Sequence, residues 1–362
     1  MLQPTPGAFR AEALRERLFL ATLLGVALAA CGSGDRRDLD GVVEHHLAHF
    51  DTLITTESGL IGIAADLAVA PDGRVWIADP VLHRVLVVDP EDGAARPIGR
   101  EGSGPAEFTA PMALAVTDSV AFVLDFGNRR IQRFHTDGTP LGATPIEVVV
   151  YLPADIDERG ALLVPTLGMD SSLATFVPPV GSGLERLRLG EPLADPPRMI
   201  SRARIREQAL RGEIPREFRN NILPILDPDG DMWLVLQGEG VLQRYDRHGG
   251  QVYSVAIADP EIAAARDAFF AAWTSDDGPA DYPVPWSAVA GAVVDGELWL
   301  RIGPGSDGRS VIAVLDAATG RILRRLVLGL GTPAGSFAVD RSRERIYVAL
   351  PDEAAVVSVA LP

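Results

Sequence analysis

The sequence predicts an all-β fold of six four-stranded units set in a ring, a six-bladed β-propeller, and three features carry that prediction. The chain of 362 residues contains 36 Gly and 28 Pro, which favour many turns over long helices. Short strands with alternating apolar residues are separated by Asp-Gly and Pro-Asp-Gly turns. This layout recurs six times, as expected of blades that bury their faces by stacking around one axis. The six copies span residues 67–93, 114–138, 155–179, 225–250, 292–320 and 337–362.

The two ends of the repeat region indicate how the ring closes. The sixth copy stops after its third strand, and the β-rich segment 49–58 precedes the first complete copy without a blade of its own. A propeller gains from pairing its ends, because pairing leaves no open sheet edge. We therefore expect an N-terminal strand from 49–58 to close the last blade. A disordered extension of the preceding segment is the alternative.

Two inserts interrupt the repeat, at about residues 188–222 after blade three and 259–288 after blade four. Each contains a predicted short helix, the first capped by Ser201 and the second by Asp259. Because both inserts flank blade four, we expect them to pack together as a cap beside the mouth of the central channel.

The N-terminal segment carries an export signal. Three arginines precede the apolar run 18–30, which is shorter than the ~20 residues of a membrane-spanning helix. The ending Leu-Ala-Ala-Cys resembles a bacterial lipobox, which implies that residues 1–30 are removed and that Cys31, the only cysteine, is lipidated. An ordinary signal peptide or a short anchor helix is the alternative. Residues 31–44 then form a flexible tether, and residues 45–362 form the propeller.

Two stretches resemble a known family. The sequence LDFGNRRIQRFHTDG (124–138) resembles an NHL repeat, and IGREGSGPAEFTAPMALAV (98–116) resembles the linker between blades in six-bladed propellers that many bacteria export as lipoproteins. The resemblance covers residues 45–362 and is weakest in blade three. It implies the fold and an extracytoplasmic, lipid-anchored setting, but no single activity. Gly32 rather than Asp follows Cys31, which favours the outer membrane.

Charge and composition exclude several functions. The formal net charge of −16 argues against nucleic acid, which needs a basic face. The chain contains no lysine, which excludes Schiff-base chemistry and a phosphate-loop lysine. No Ser-His-Asp arrangement has positional support, and no motif predicts a cofactor.

The inserts hold the strongest candidate binding site. A basic strip in the first insert would lie beside aromatic residues of the second, which suits a small anionic ligand or the acidic segment of a protein partner. The alternative is a structural lid with solvated or locally paired arginines. The candidate residues are Arg202, Arg206, Arg211, Phe270, Trp273 and Trp286.

Loops between the second and third strands of a blade hold further candidates. Asp and Asn suit such turns because their side chains bind nearby backbone, so we expect mainly bridging between blades. His83 lies in the loop of blade one and is expected to face the channel mouth. The candidates in these loops are Asp79, His83, Asp125, Asn128 and Arg129.

The chain contains six histidines, and histidine is a common metal ligand. His45, His46 and His49 form a possible cluster without a supporting scaffold, and the other three do not converge. The sequence therefore favours a non-enzymatic, lipid-anchored binding or scaffold module. The alternative is a metal-dependent lactonase-like hydrolase or a zinc lyase, which would need several carboxylate, Asn or His donors at one point on the axis.

Overall fold

The computed structural model describes residues 41–196, 201–227, 229–275, 278–279, 288–303 and 309–362. Six sheets, each with four antiparallel strands, form a propeller ring, which confirms the predicted fold class. Cys31 and the remainder of residues 1–40 lie outside the described residues, as does Trp286.

The first half of the chain supplies two N-terminal strands and three blades. The N-terminal strands are β1 (Val43–Leu47) and β2 (Asp51–Ile54). Blade one consists of β3 (Asp66–Val69), β4 (Val75–Asp79), β5 (Arg84–Val88) and β6 (Ala95–Ile98). A two-stranded ladder follows, β7 (Arg100–Glu101) with β8 (Glu107–Phe108). Blade two consists of β9 (Pro111–Val116), β10 (Val120–Asp125), β11 (Arg130–His135) and β12 (Pro140–Pro145). Blade three consists of β13 (Asp155–Ile156), β14 (Leu162–Pro165), β15 (Ala174–Val177) and β16 (Leu187–Leu189).

The second half supplies the helices and three more blades. The first insert contains α1 (Arg202–Leu210) and α2 (Arg216–Arg219). Blade four consists of β17 (Ile222–Leu226), β18 (Met232–Leu236), β19 (Val241–Tyr245) and β20 (Gln251–Ala256), and α3 (Pro260–Thr274) follows in the second insert. Blade five consists of β21 (Ala288–Val294), β22 (Glu297–Ile302), β23 (Ser310–Asp316) and β24 (Ile322–Leu328). Blade six consists of β25 (Phe337–Asp340), β26 (Arg345–Leu350) and β27 (Ala355–Ala360).

The N-terminal strands complete the last two blades. Strand β2 pairs antiparallel with β27, with Asp51 opposite Ser358, which confirms the expected closure of blade six. Strand β1 was not expected: it pairs in parallel with β24 as a fifth strand of blade five, with Val43 opposite Arg324. It begins two residues inside the predicted tether. Its sequence, VEHHL, shows little alternation of apolar residues, and only Leu47 of the strand is buried.

The core lies between neighbouring blades. Side chains on one face of a blade pack against the next blade, and those on the other face pack against the preceding one, as alternation along a strand requires. Trp76 of blade one packs with Val123 of blade two, and Trp299 of blade five packs with Phe337 and Val348 of blade six. These clusters of fully buried side chains hold the blades at fixed positions around the axis.

Both predicted helices form at the expected places. Helix α1 follows Ser201, but the Ser201 side chain makes no capping hydrogen bond, so the predicted cap of α1 is wrong in this respect. Helix α3 follows Asp259, whose side chain accepts a hydrogen bond from the Glu261 N–H, as predicted. Within the described part of the chain, none of the helices combines the length and the apolar character that a membrane span requires.

Candidate functional site

Propeller topology divides the loops between two faces. Loops between second and third strands share one face with the segments that join successive blades, and we call this the linker face. The first and third hairpin turns of each blade lie on the opposite, hairpin face. The inserts carrying α1, α2 and α3 join blades and therefore belong to the linker face.

Asp125 anchors the loop of blade two to the linker before it. Its fully buried carboxylate accepts hydrogen bonds from the Thr109 N–H, from Asn128 Nδ2 and from Arg130 Nε, each at 2.8 Å. The other guanidinium nitrogens of Arg130 donate to backbone carbonyl oxygens between residues 103 and 107. The neighbouring Arg129 instead occupies a left-handed position, with φ of 52°. The arginine that ties this loop down is therefore Arg130, not the candidate Arg129.

Asp79 and His83 repeat this arrangement in blade one. The fully buried Asp79 carboxylate accepts hydrogen bonds from the N–H groups of Gly62 and Ile63, in the linker before the blade. His83 Nδ1 accepts a hydrogen bond of 3.0 Å from the Ala110 N–H, in the linker after the blade. These side chains join each blade to its linkers, as the turn chemistry predicted.

The two inserts pack together, as expected. Ile205 and Ala209 of α1 form one buried cluster with Phe269 and Trp273 of α3. The Trp273 side chain is only 1% exposed, so its ring serves this contact rather than an open surface. Phe270 is partly buried at the edge of the cluster, with the Arg266 guanidinium over its ring.

The arginines of α1 are held by local acceptors. Arg202 Nη1 donates to the Pro279 carbonyl oxygen at 2.8 Å, and Arg206 Nη2 donates to the Ser275 carbonyl oxygen at 2.9 Å. The Ser275 carbonyl follows the C-terminal end of α3, where the helix dipole favours a cation. Arg211 Nη1 pairs with Glu207 at 2.9 Å. The strip thus joins α1 to the end of α3.

A pocket of about 460 Å³ opens on the linker face beside the inserts. Buried Asn220 fixes its walls: its Oδ1 accepts a hydrogen bond from the Leu193 N–H, and its Nδ2 donates to the Ala194 and Leu167 carbonyl oxygens. Asp195, whose side chain is exposed, pairs with Arg216 at the rim. The pocket is lined by Gly168, Ser171, Pro192, Leu193, Ala194, Asp195 and Pro196.

The central channel holds a second pocket, of about 170 Å³, lined by the innermost strands. Asp66 Oδ2 accepts a hydrogen bond from the Leu114 N–H of blade two, and Asp155 Oδ2 accepts one from the Leu226 N–H of blade four. The inner edge of each first strand has no neighbouring strand, so these carboxyls satisfy backbone donors that would otherwise be unpaired. Ser336 Oγ also donates to Asp66, at 2.8 Å.

Burial gives the two channel carboxyls different pKa values. Burial raises the pKa of Asp155 to about 8, and the negative charge of Asp66 contributes to the increase. Burial raises the pKa of Asp66 only to about 6, because hydrogen bonds from the Leu114 N–H and from Ser336 favour its ionised form. At neutral pH these pKa values leave Asp155 neutral and Asp66 ionised.

The described residues contain no group of three or more His, Cys, Asp or Glu side chains that could hold a metal ion. His46 Nε2 lies 3.1 Å from Glu44 on the exposed outer strand β1. The channel wall is mixed, since Leu67, Leu114 and Ala292 lie beside the two carboxyls. In the described part of the chain, this mixed lining does not bring together the several metal donors that the lactonase or lyase alternative would need.

Our sequence reasoning missed Asp66 and Asp155. A signal was present: both follow an alanine and precede an aliphatic residue, in Ala-Asp-Leu (65–67) and Ala-Asp-Ile (154–156), at the start of a first strand. An aspartate repeated at the axial strand of two blades indicates a shared role at the axis.

Comparison with known proteins agrees with the fold. No family model and no curated protein matches the chain. Regucalcin from Agrobacterium tumefaciens, a calcium-binding protein, is 11% identical with a TM-score of 0.50, covering 88% of this chain and 96% of its own. A streptogramin B lyase is 12% identical (TM-score 0.49, 87% and 98% covered), and a gluconolactonase from Xanthomonas campestris is 15% identical (TM-score 0.48, 90% and 99% covered). The six four-stranded blades of the structure itself define the chain as a six-bladed β-propeller.

Proposed function

We propose that this protein is a lipid-anchored, extracytoplasmic propeller that binds a ligand or a protein partner on its linker face beside the two inserts. The observation that carries the proposal is the pocket of about 460 Å³ at that face. Binding sites for small molecules and peptide side chains are concave and largely preformed, and the hydrogen bonds of Asn220 preform this one.

The surroundings of the pocket support a contact surface. Met169, in the loop that contributes Gly168 and Ser171 to the lining, is 53% exposed. Large exposed apolar side chains next to a concave surface are typical of protein interfaces. The exposed Asp195 beside Arg216 adds a polar rim, which would orient an aliphatic group entering between Pro192 and Leu193.

The hydrolase alternative lacks a comparable support. It requires several metal donors at one axial point, whereas Asp66 and Asp155 each already accept a backbone hydrogen bond from the next blade. In our proposal the neutral Asp155 and ionised Asp66 are structural groups that hold first strands together. We therefore propose no catalytic residue and no cofactor.

The membrane part of the proposal depends on Cys31, which would be lipidated after removal of residues 1–30, with the outer membrane as the destination. The test is labelling of cells with a radioactive fatty acid, followed by membrane fractionation. We expect labelled protein in the membrane fraction, and neither label nor membrane association for Cys31→Ala. Label retained by the variant would contradict the anchor.

The binding part is tested by placing a photo-crosslinking amino acid at position 169 in cells that naturally produce the protein. A matched variant carries it at Ser119, an exposed residue of the first hairpin turn of blade two on the hairpin face. We expect discrete crosslinked species from position 169 and none from position 119. Crosslinks from neither position, or equally from both, would contradict binding at the linker face.

A further inference from the structure

Two arginines are buried among the described residues, and both lie in blade five. Arg325, 4% exposed, contacts three carboxylates: its Nε lies 3.0 Å from Asp259, and its other nitrogens reach Glu44 and Glu261. Arg301, 3% exposed, contacts no carboxylate in the described part of the chain. Within one blade, one buried guanidinium is surrounded by carboxylates, and the other has none among the described residues.

The position of Arg301 is apolar in other blades. Along β22, Arg301 points to the same side as Trp299, towards blade six. The equivalent pairs on second strands are Trp76 with Ala78 in blade one and Tyr347 with Ala349 in blade six, and all four are core residues. An alanine is therefore sufficient for packing at this position, so packing alone does not account for an arginine.

The hydrogen bonds of Arg301 leave its Nε without a partner. Nη1 donates to the Ile302 carbonyl oxygen at 3.1 Å. Nε is buried and has no hydrogen-bond partner. Its cross-strand neighbours, Ala290 and Ile312, offer no acceptor side chain. The Nε edge of a guanidinium is a two-donor fork, whose spacing fits the two oxygens of a carboxylate.

Arg301 keeps its charge at neutral pH. Burial lowers its pKa to about 9, which is still well above the pH of most compartments. A buried cation without a partner is strongly destabilising, and the usual compensation is an anion in hydrogen-bonded contact. Arg301 is the penultimate residue of β22, which ends at the linker face, so an anion would reach it from that side.

We propose that Arg301 binds the carboxylate of a small organic acid at the seam between blades five and six. The small exposed fraction of the side chain limits the ligand to a compact acid of about the size of acetate. This site lies away from the pocket beside the inserts, and the inference stands whether or not a partner binds there. In the sequence the arginines of α1 are candidates for binding an anion, whereas our proposal places the carboxylate beside an arginine of a strand.

Calorimetric thermal unfolding of the full-length protein tests the proposal, with sodium acetate exchanged for sodium chloride at constant ionic strength. For a single site, we expect the melting temperature to rise by about 2 °C for each tenfold increase in acetate above its dissociation constant. Arg301→Met should abolish this dependence. It should also melt no lower than wild type in chloride, since it removes an unpaired buried charge.

The control variant is Arg202→Met, which removes a cap arginine and should keep the full response to acetate. Wild type without a response, or Arg301→Met with an undiminished one, overturns the proposal. Loss of the response in Arg202→Met instead assigns the anion to the inserts. A phosphate response equal to that of acetate overturns the carboxylate assignment. If Arg301→Met does not fold, Arg301→Lys keeps the charge without the fork and should bind acetate at least tenfold more weakly in saturation-transfer NMR.

Discussion

Replacing Asp155 by Asn should remove the contribution of one titrating carboxyl to the pH dependence of the free energy of unfolding. In the folded protein the pKa of Asp155 is about 8, because the channel desolvates the carboxyl, whereas an unfolded chain has an aspartate pKa of about 3.9. Between these values the folded state binds a proton that the unfolded state has lost. The free energy of unfolding therefore falls as pH rises through this window, by about 1.4 kcal/mol per pH unit for this group.

Asparagine is neutral at every pH and its Oδ1 can still accept the Leu226 N–H. Wild type and Asp155→Asn should thus have similar stability near pH 5 and differ progressively above it. From pH 5 to pH 7.5 the variant should gain about 3 kcal/mol relative to wild type. Asp66, with a pKa of about 6, contributes equally to both proteins.

The assay is urea unfolding at half-unit pH intervals, with the unfolding free energy taken at constant m-value. Asp352→Asn is the control, because that carboxyl is exposed on the surface of blade six, and its pH slope should equal that of wild type. If Asp155→Asn also keeps the slope of wild type, the carboxyl is not protonated in the folded channel and the reasoning is wrong.

Three further substitutions have expected outcomes in urea unfolding. Arg130→Met should lower the free energy of unfolding by about 3 kcal/mol or more, because it leaves the buried carboxylate of Asp125 without its cation. Arg129→Gly should leave this free energy unchanged or raise it by up to ~1 kcal/mol, because φ is positive at position 129. Trp273→Ala should cost about 3–5 kcal/mol through the cavity left between α1 and α3. Arg325→Met should lower the free energy of unfolding more at pH 8 than at pH 5, because burial raises the pKa of Asp259, so that this carboxyl is more nearly neutral in acid and depends less on the cation.

Each of these three predictions would be contradicted by a specific outcome. Equal losses for the two adjacent arginine variants would mean that the loop is not held through Arg130. A loss below ~1 kcal/mol for Trp273→Ala would mean that the helices are not coupled through that ring. A pH-independent loss for Arg325→Met would mean that the charges around it do not govern its contribution.

Turn chemistry made most of the fold predictable. Asp-Gly turns at fixed spacing identify the blades, and Asp259 before Pro260 identifies the start of α3, since these signals depend on local backbone preferences. The parallel pairing of β1 could not be predicted in this way. It depends on contacts with residues almost 300 positions away, such as Glu44 with Arg325, which no local pattern encodes.

The candidate residues show the same limit. Asp79 and Asp125 were recognised, because a turn motif explains them. Arg301 was not, although an arginine within the apolar run LWLRI of a strand covered on both faces is an unusual residue. The sequence predicts a candidate anion site at the arginines of α1 because they are clustered. Clustering does not distinguish an arginine with local acceptors from one without them.

The pairing of β2 with β27 has a consequence for biosynthesis. Strand β2 cannot pair until β27, about 300 residues later in the chain, has been synthesised. If the protein is exported as we propose, the chain would cross the membrane with blade six incomplete and with unpaired strand edges at β2 and β27. Periplasmic chaperones that shield such edges would then determine yield more than the intrinsic stability of the finished ring does, and circular permutants opened elsewhere would shift that dependence to another blade.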